Sequence, residues 1–172
     1  MATATACISI EQYLRTNFRP DAHFVDGTVE ERRLGEFEHA RLQSLIASFF
    51  VVREKLRAIE TLTEQRIRVA PSRVRICDIA ILHASAPRER LIVTPPLLCI
   101  EILSREYRVG RAELVLADYR AMGVAHLWLI DPIQRAAYTF DDCGLHVADP
   151  ASMAIAGTAI ALDLTELFAA LN

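Results

Sequence analysis

Two acids stand in this chain where acids are expensive. Asp78 lies within VRICDIAIL (Val74–Leu82), and Glu101 lies within IVTPPLLCIEIL (Ile92–Leu103). Both runs are short, rich in Ile, Val and Leu, and bounded by Pro and Ser, the pattern of buried strands. A carboxylate inside such a run is costly to desolvate unless a cation, a metal or a hydrogen-bond network meets it. Taken singly, each acid is more often an edge or salt-bridge residue than a ligand. Placed on neighbouring strands, the two suit a hard divalent cation such as Mg²⁺ (or Mn²⁺), which takes oxygen ligands. Arg105, Arg108 and Arg111 follow Glu101 within SREYRVGR. Three guanidiniums there suit a phosphate clamp, with a solvated loop as the competing reading. The chain has no GxSxG elbow, P-loop or GxGxxG turn.

The elements that must position these acids are legible in outline. Ser9-Ile-Glu-Gln12 has the form of a capping box opening a short helix through Leu14. A hairpin turns at Asp26-Gly27. A long helix is expected from Glu36 to about Ile59, with Leu42, Leu45, Ile46, Phe49, Phe50 and Val52 on its apolar face. His39 near its start reads as a partly exposed helix histidine. Residues 63–70 alternate, with Gln65, Ile67 and Val69 opposite Glu64, Arg66 and Arg68, as in a half-exposed strand. A second helix runs from Glu113 to Met122 and stops at Gly123. The strand AHLWLIDP follows, then its antiparallel partner at residues 135–141. Short strands are expected near Leu145–Val147 and Ala159–Leu162. Asp163-Leu-Thr-Glu166 caps a terminal helix. Trp128 and Tyr138 read as core and sheet residues. This order fits an α/β or α+β fold with a mixed sheet between helices.

Composition narrows the class. A chain of 172 residues, 52% hydrophobic and 7% aromatic, is expected to form one domain (1–172) with an aliphatic core. No apolar stretch is long enough to span a bilayer, and the N-terminus lacks the form of a secretory leader. Cys7, Cys77, Cys99 and Cys143 show no CxxC spacing and are expected to be reduced thiols in a cytoplasmic protein. A net charge of −3 and a pI of about 6.0 argue against general coating of nucleic acid but leave room for a local basic groove. The cations are nearly all arginine, and Lys55 is the single lysine.

Read together and in order, Asp78-Ile-Ala-Ile, Glu101-Ile-Leu-Ser104, Asp118-Tyr119 and the run Gly123 to Pro132 resemble the Uma-two family of restriction endonucleases, within the PD-(D/E)XK nuclease superfamily. PDAHFVDGTVEER, GEFEHARLQ, PPLLCIEILS and DLTELF extend the resemblance over nearly the whole chain. It implies a restriction-endonuclease-like fold, a mixed sheet flanked by helices after an N-terminal helix and hairpin. The implied activity is Mg²⁺-dependent hydrolysis of DNA phosphodiesters, with Asp78 and Glu101 as metal-binding acids. A homodimer suits cleavage of both strands of a duplex. The departures gather at the chemistry. Val115 stands at the family's lysine position, on the packed stripe with Tyr119 and Met122. Arg111, one turn earlier, is the candidate to supply the missing positive charge, although arginine cannot act as a base. His23 stands at the position of an early glutamate. There it is a candidate contact to metal or phosphate, although neutral histidine prefers softer cations than Mg²⁺. Cys77 replaces the proline before the first acid, and Arg105 the proline after Ser104. The alternative reading is a catalytically degenerate nuclease fold that binds nucleic acid or a protein partner.

Overall fold

The computed structural model describes residues 7–19, 21–32, 36–104 and 109–171. Its central strand, β4 (Arg73–His83), is buried along nearly its whole length. That is the environment expected of an apolar run covered on both faces. Strand β3 (Ile59–Ala70) pairs antiparallel with β4 from end to end. Because a strand has only two edges, the other partners of β4 share its second edge. Strand β1 (Ala22–Val25) takes one end, at Arg73 and Val74. Strand β5 (Leu98–Ile102) takes the other, at Ile79 to Ile81. Residues 75–78 fall between them.

The rest of the sheet grows outward from these strands. Strand β2 (Thr28–Glu31) closes the hairpin with β1, and Asp26 and Gly27 take φ values of 48° and 91° in its turn. Strand β6 (His126–Asp131) lies parallel to β5. Strands β7 (Ala136–Asp141) and β8 (Gly144–Ala148) add antiparallel to it. The order is β2-β1-β4-β5-β6-β7-β8, with β3 on the remaining edge of β4.

Helices cover both faces. Helix α1 (Ile10–Arg15) opens with the expected capping box: Ser9 Oγ accepts from the Gln12 amide at 3.2 Å, and Gln12 Oε1 accepts from the Ser9 amide at 2.9 Å. Helix α2 (Phe37–Val51) lays His39, Leu42, Ile46 and Phe50 on one face of the sheet. Leu42, Ile46 and Phe50 pack with Ile79, Ile81, Ile100, Ile102 and Trp128. This helix is shorter than its sequence pattern suggests. The β-branched pair Val51-Val52 ends it, and Val52 is 76% exposed instead of lying on the apolar face. A separate turn, α3 (Glu54–Arg57), follows and is closed by Ala58 in the left-handed region. The chain therefore enters β3 at Ile59, four residues before the alternating run at 63. Helix α4 (Val109–Met122) crosses the opposite face between the parallel strands β5 and β6. Ala112, Val115, Leu116 and Tyr119 pack there with Ile67, Ala80, Cys99 and Leu129. Gly123, at φ 105°, ends α4 as expected.

A two-stranded ribbon, β9 (Met153–Ala154) with β10 (Ala161–Leu162), precedes helix α5 (Leu164–Ala169), whose N-cap Asp163 accepts from the Thr165 amide at 2.8 Å. All four cysteines are free. No helix among the described residues is long and apolar enough to cross a membrane.

The two ends of α2 should respond differently to mutation. Ile46→Ala is expected to cost about 2–5 kcal/mol in urea unfolding, and Val52→Ser less than about 0.5 kcal/mol. Equal losses would mean that residues 50–53 continue the packed helix.

Candidate functional site

The register sets three carboxylates side by side. Pairing of β4 with β5 runs through Ile79 and Ile100, and one further step would set Asp78 opposite Glu101. Pairing of β3 with β4 runs through Thr63 and Ile79, skips a rung, and resumes at Gln65 and Cys77. The skipped rung is Glu64 opposite Asp78. Glu64 takes φ 53° there, a left-handed conformation rare for a non-glycine residue and a local break in the ladder. Asp78 thus sits between two other acids.

The second edge of β4 is open at residues 75–78, and side chains take over the work of ladder partners. The Ile76 amide donates to His23 Nδ1 at 3.1 Å. The Ile102 amide donates to Asp78 Oδ2 at 2.8 Å. His39 Nε2 meets the same Asp78 oxygen at 3.2 Å, and Asp78 Oδ1 accepts from Arg32 Nη2. Asp78 is 1% exposed. Burial alone would raise its pKa. The His39 bond, the Arg32 charge and the Ile102 amide outweigh that, holding the carboxyl below the usual aspartate value.

Arg32 is the cation that joins this rung. It follows β2, and its Nη1 donates to Glu64 Oε2 while its Nη2 holds Asp78. Burial opposes its charge, but Asp78, Glu64 and Glu101 more than compensate and raise its pKa. Gln43 Nε2 completes the bracket, donating to Glu64 Oε1 at 2.7 Å and to the Asp78 carbonyl at 3.0 Å.

Glu101 behaves in the opposite sense. Tyr119 Oη donates to its Oε1 at 2.9 Å. Burial first, then the neighbouring Asp78 charge, push its pKa well above the usual glutamate range. Two close carboxylates are thereby separated into one anion and one group favouring the neutral acid. Helix α4, which carries Tyr119, is pinned through the preceding residue. Asp118 accepts from Arg75 Nε at 2.7 Å and from Arg73 Nη1 at 2.9 Å.

The expected site residues are distributed as follows. Asp78 and Glu101 come together. His23 does not offer a surface for metal or nucleic acid. It is 2% exposed, its Nδ1 is taken by the β4 backbone, and burial lowers its pKa well below the usual histidine value. Arg111 rests against β2, 3.6 Å from Glu30 Oε2, with its side chain 45% exposed. The positive charge on Asp78 comes from Arg32. Val115 is 1% exposed, in the core under α4. Lys55 is on the exposed turn α3. Arg105 and Arg108 lie outside the described residues.

Three participants are not read from the sequence, His39, Arg32 and Glu64, and the reasons differ. His39 is buried rather than partly exposed, and its spacing of three, seven and eleven residues before Leu42, Ile46 and Phe50 was the available signal. Arg32 reaches across 46 residues of sequence to Asp78, and no local pattern announces it.

The family model described as "Uma2: Putative restriction endonuclease" matches residues 10–144. The crystal structure of "a putative nuclease belonging to DUF820 from Anabaena variabilis" matches with a TM-score of 0.83, covering 96% of this chain and 99% of that one at 20% identity. At that identity the match carries the fold, a restriction-endonuclease-like mixed sheet flanked by helices. No curated protein matches the chain.

The opposed pKa shifts have an observable signature. A carboxyl whose pKa is raised by folding contributes most below its unfolded value, 4.5 for glutamate, and that contribution is lost as pH rises through the folded pKa. Asp78, with a lowered pKa, acts the other way and loses its contribution only as pH falls below 3.8. Glu101→Gln keeps an acceptor for Tyr119 and abolishes the first titration. Its melting temperature relative to wild type should climb as pH rises above 4.5, and a flat difference would refute a raised Glu101 pKa. Asp78→Asn should cost about 3 kcal/mol at pH 7, the low end for a broken buried pair, because Arg32 keeps Glu64. Melting curves across that range check the first, and urea unfolding near neutral pH checks the second.

Proposed function

The chain belongs to the Uma2 family, and from that premise we propose that it is a divalent-metal-dependent endonuclease hydrolysing the phosphodiester bonds of DNA at Asp78 and Glu101. The observation that carries this reading is the pair itself. Two acids from adjacent strands meet at a break in the ladder, buried, with pKa values driven apart. Such separation is the usual mark of carboxyls assigned different tasks.

The donor chemistry fits a hard cation. Both side chains offer carboxylate oxygens, and Mg²⁺ is commonly held by one or two carboxylates, with water and substrate phosphate completing its shell. Among the described residues, no group of three His, Cys, Asp or Glu side chains is disposed to hold a metal ion. On this reading Asp78 and Glu101 form a minimal ligand set. Bound there, Mg²⁺ or Mn²⁺ would lower the pKa of a water and stabilise charge developing on the phosphate.

The chain's own residues set the rest of the chemistry. Asp78 presents an anion fixed in orientation by the Ile102 amide and His39. Glu101, its pKa pushed up by burial and by the Asp78 charge, is aimed by Tyr119 and would give up its proton on taking a metal ion. Arg111, on the first turn of α4, offers an exposed charge for the nucleic-acid backbone, and Arg105 and Arg108 precede it in the chain. A two-fold dimer would present two sites to the two strands of a duplex.

A second reading has a specific observation behind it. Val115 is core where the resemblance places a lysine, so α4 brings no tunable amine to the acids. A nuclease fold without that amine suits binding of nucleic acid without cleavage. Incubation of supercoiled plasmid with wild type and Glu101→Gln in Mn²⁺ or in EDTA separates the two. The endonuclease reading expects Mn²⁺-dependent nicking, reduced at least about 100-fold in Glu101→Gln, a loss of about 2.7 kcal/mol in transition-state stabilisation. Retention of a DNA fragment in gel shifts without nicking, unchanged in Glu101→Gln, would favour binding alone.

A further inference from the structure

We propose that Arg32 is a built-in counter-cation of this site: it occupies the Asp78 oxygen that a divalent cation requires, so guanidinium and metal hold Asp78 in turn. The inference rests on the metal reading of Asp78 and Glu101 above and adds the group that regulates access to them.

The electrostatics of the rung call for a cation. Glu64, Asp78 and Glu101 come from three successive strands, and Asp78 is almost wholly removed from water. Among the described residues, Arg32 is the one arginine whose two terminal nitrogens join two of these acids, Nη1 to Glu64 and Nη2 to Asp78. Guanidinium suits this role. It is planar and weakly hydrated, and its fork spans two carboxylates where an ammonium offers a single point of charge. Both acids are in turn braced to receive it, Glu64 by its left-handed backbone and Gln43, Asp78 by Ile102 and His39.

Arg32 is also placed to leave. It lies just beyond the last residue of β2, outside the strand ladder, and its side chain is 18% exposed against 2% for Asp78. The contacts that hold its head at the rung are side-chain contacts, and they can be released without breaking the sheet. With Arg32 in, Asp78 Oδ1 faces a guanidinium and Oδ2 faces an amide and an imidazole. With Arg32 out, Oδ1 becomes free for a cation.

Competition of this kind lowers metal affinity by the fraction of molecules in which Arg32 is withdrawn. If that is about one molecule in ten, removing Arg32 lowers the Mn²⁺ dissociation constant about tenfold. The test uses Mn²⁺ alone, with the full chain and no nucleic acid, following the electron-paramagnetic signal of free Mn²⁺ and the melting temperature together. Arg32→Gln should bind Mn²⁺ about tenfold more tightly than wild type, and Arg32→Gln/Asp78→Asn should lose the gain. Arg32→Lys keeps the charge, and so guards against a folding failure. It cannot bridge two carboxylates and should fall between wild type and Arg32→Gln. Equal or weaker Mn²⁺ binding in both single variants overturns the counter-cation. If that equal binding is lost in Asp78→Asn, the metal reading stands while this inference falls. Absence of Mn²⁺ binding in wild type and in every variant overturns both.

Discussion

The Asp78 carboxylate, buried and ionised, is the constraint around which the molecule is arranged. An anion at 1% exposure must be met by donors from several directions, and here they come from three places in the chain. The residue after the hairpin gives Arg32, the long helix gives His39, and β5 gives the Ile102 amide. Gln43 holds the Asp78 main chain while steering Glu64. None of these would have reason to converge without the charge. Replacing a buried ion pair with apolar residues often does no harm to stability, so the energetic burden of this arrangement fits a site better than a scaffold.

The sheet makes room for that charge by leaving β4 partly unpaired. Strands β1 and β5 share one edge and do not meet, which exposes a four-residue gap. A backbone amide in such a gap needs an acceptor, and His23 supplies one to Ile76. A position that resembles a functional one thus holds a buried histidine, and burial keeps its pKa well below the usual histidine value. His23 has become part of the ladder. The Glu64 break across the other edge lets a third acid turn toward the same cation.

What was legible in the sequence follows from the range of the interactions. The α1 capping box, the Asp26-Gly27 turn, the Val115–Tyr119 stripe and the two buried strands are set by residues within a few positions of one another, and all appear as read. The end of α2 is not legible because apolar character continues through Val52 while helix propensity does not. The start of β3 was set too late because residues 59–62 pair fully with β4 without strict alternation. Asp78 and Glu101 were visible as acids in apolar runs. Arg32 and Glu64 were not, since one depends on a contact across 46 residues and the other on a backbone dihedral that nothing in TEQRIRVA signals.

The positive charge has thus changed place and kind. Where the resemblance expects a lysine on α4, this chain packs Val115 beneath the helix and brings a guanidinium from the hairpin exit. A lysine amine can lose its proton in a buried setting and act as a base, whereas arginine stays charged and acts only through its field and its donors. Glu101 answers the same charge in the opposite sense, its pKa raised by burial and by the Asp78 anion beside it. Asp78 can remain an anion because the His39 bond and the Arg32 charge offset its burial, so the lowered pKa of one acid, the raised pKa of the other and the position of Arg32 are three expressions of the same charge balance.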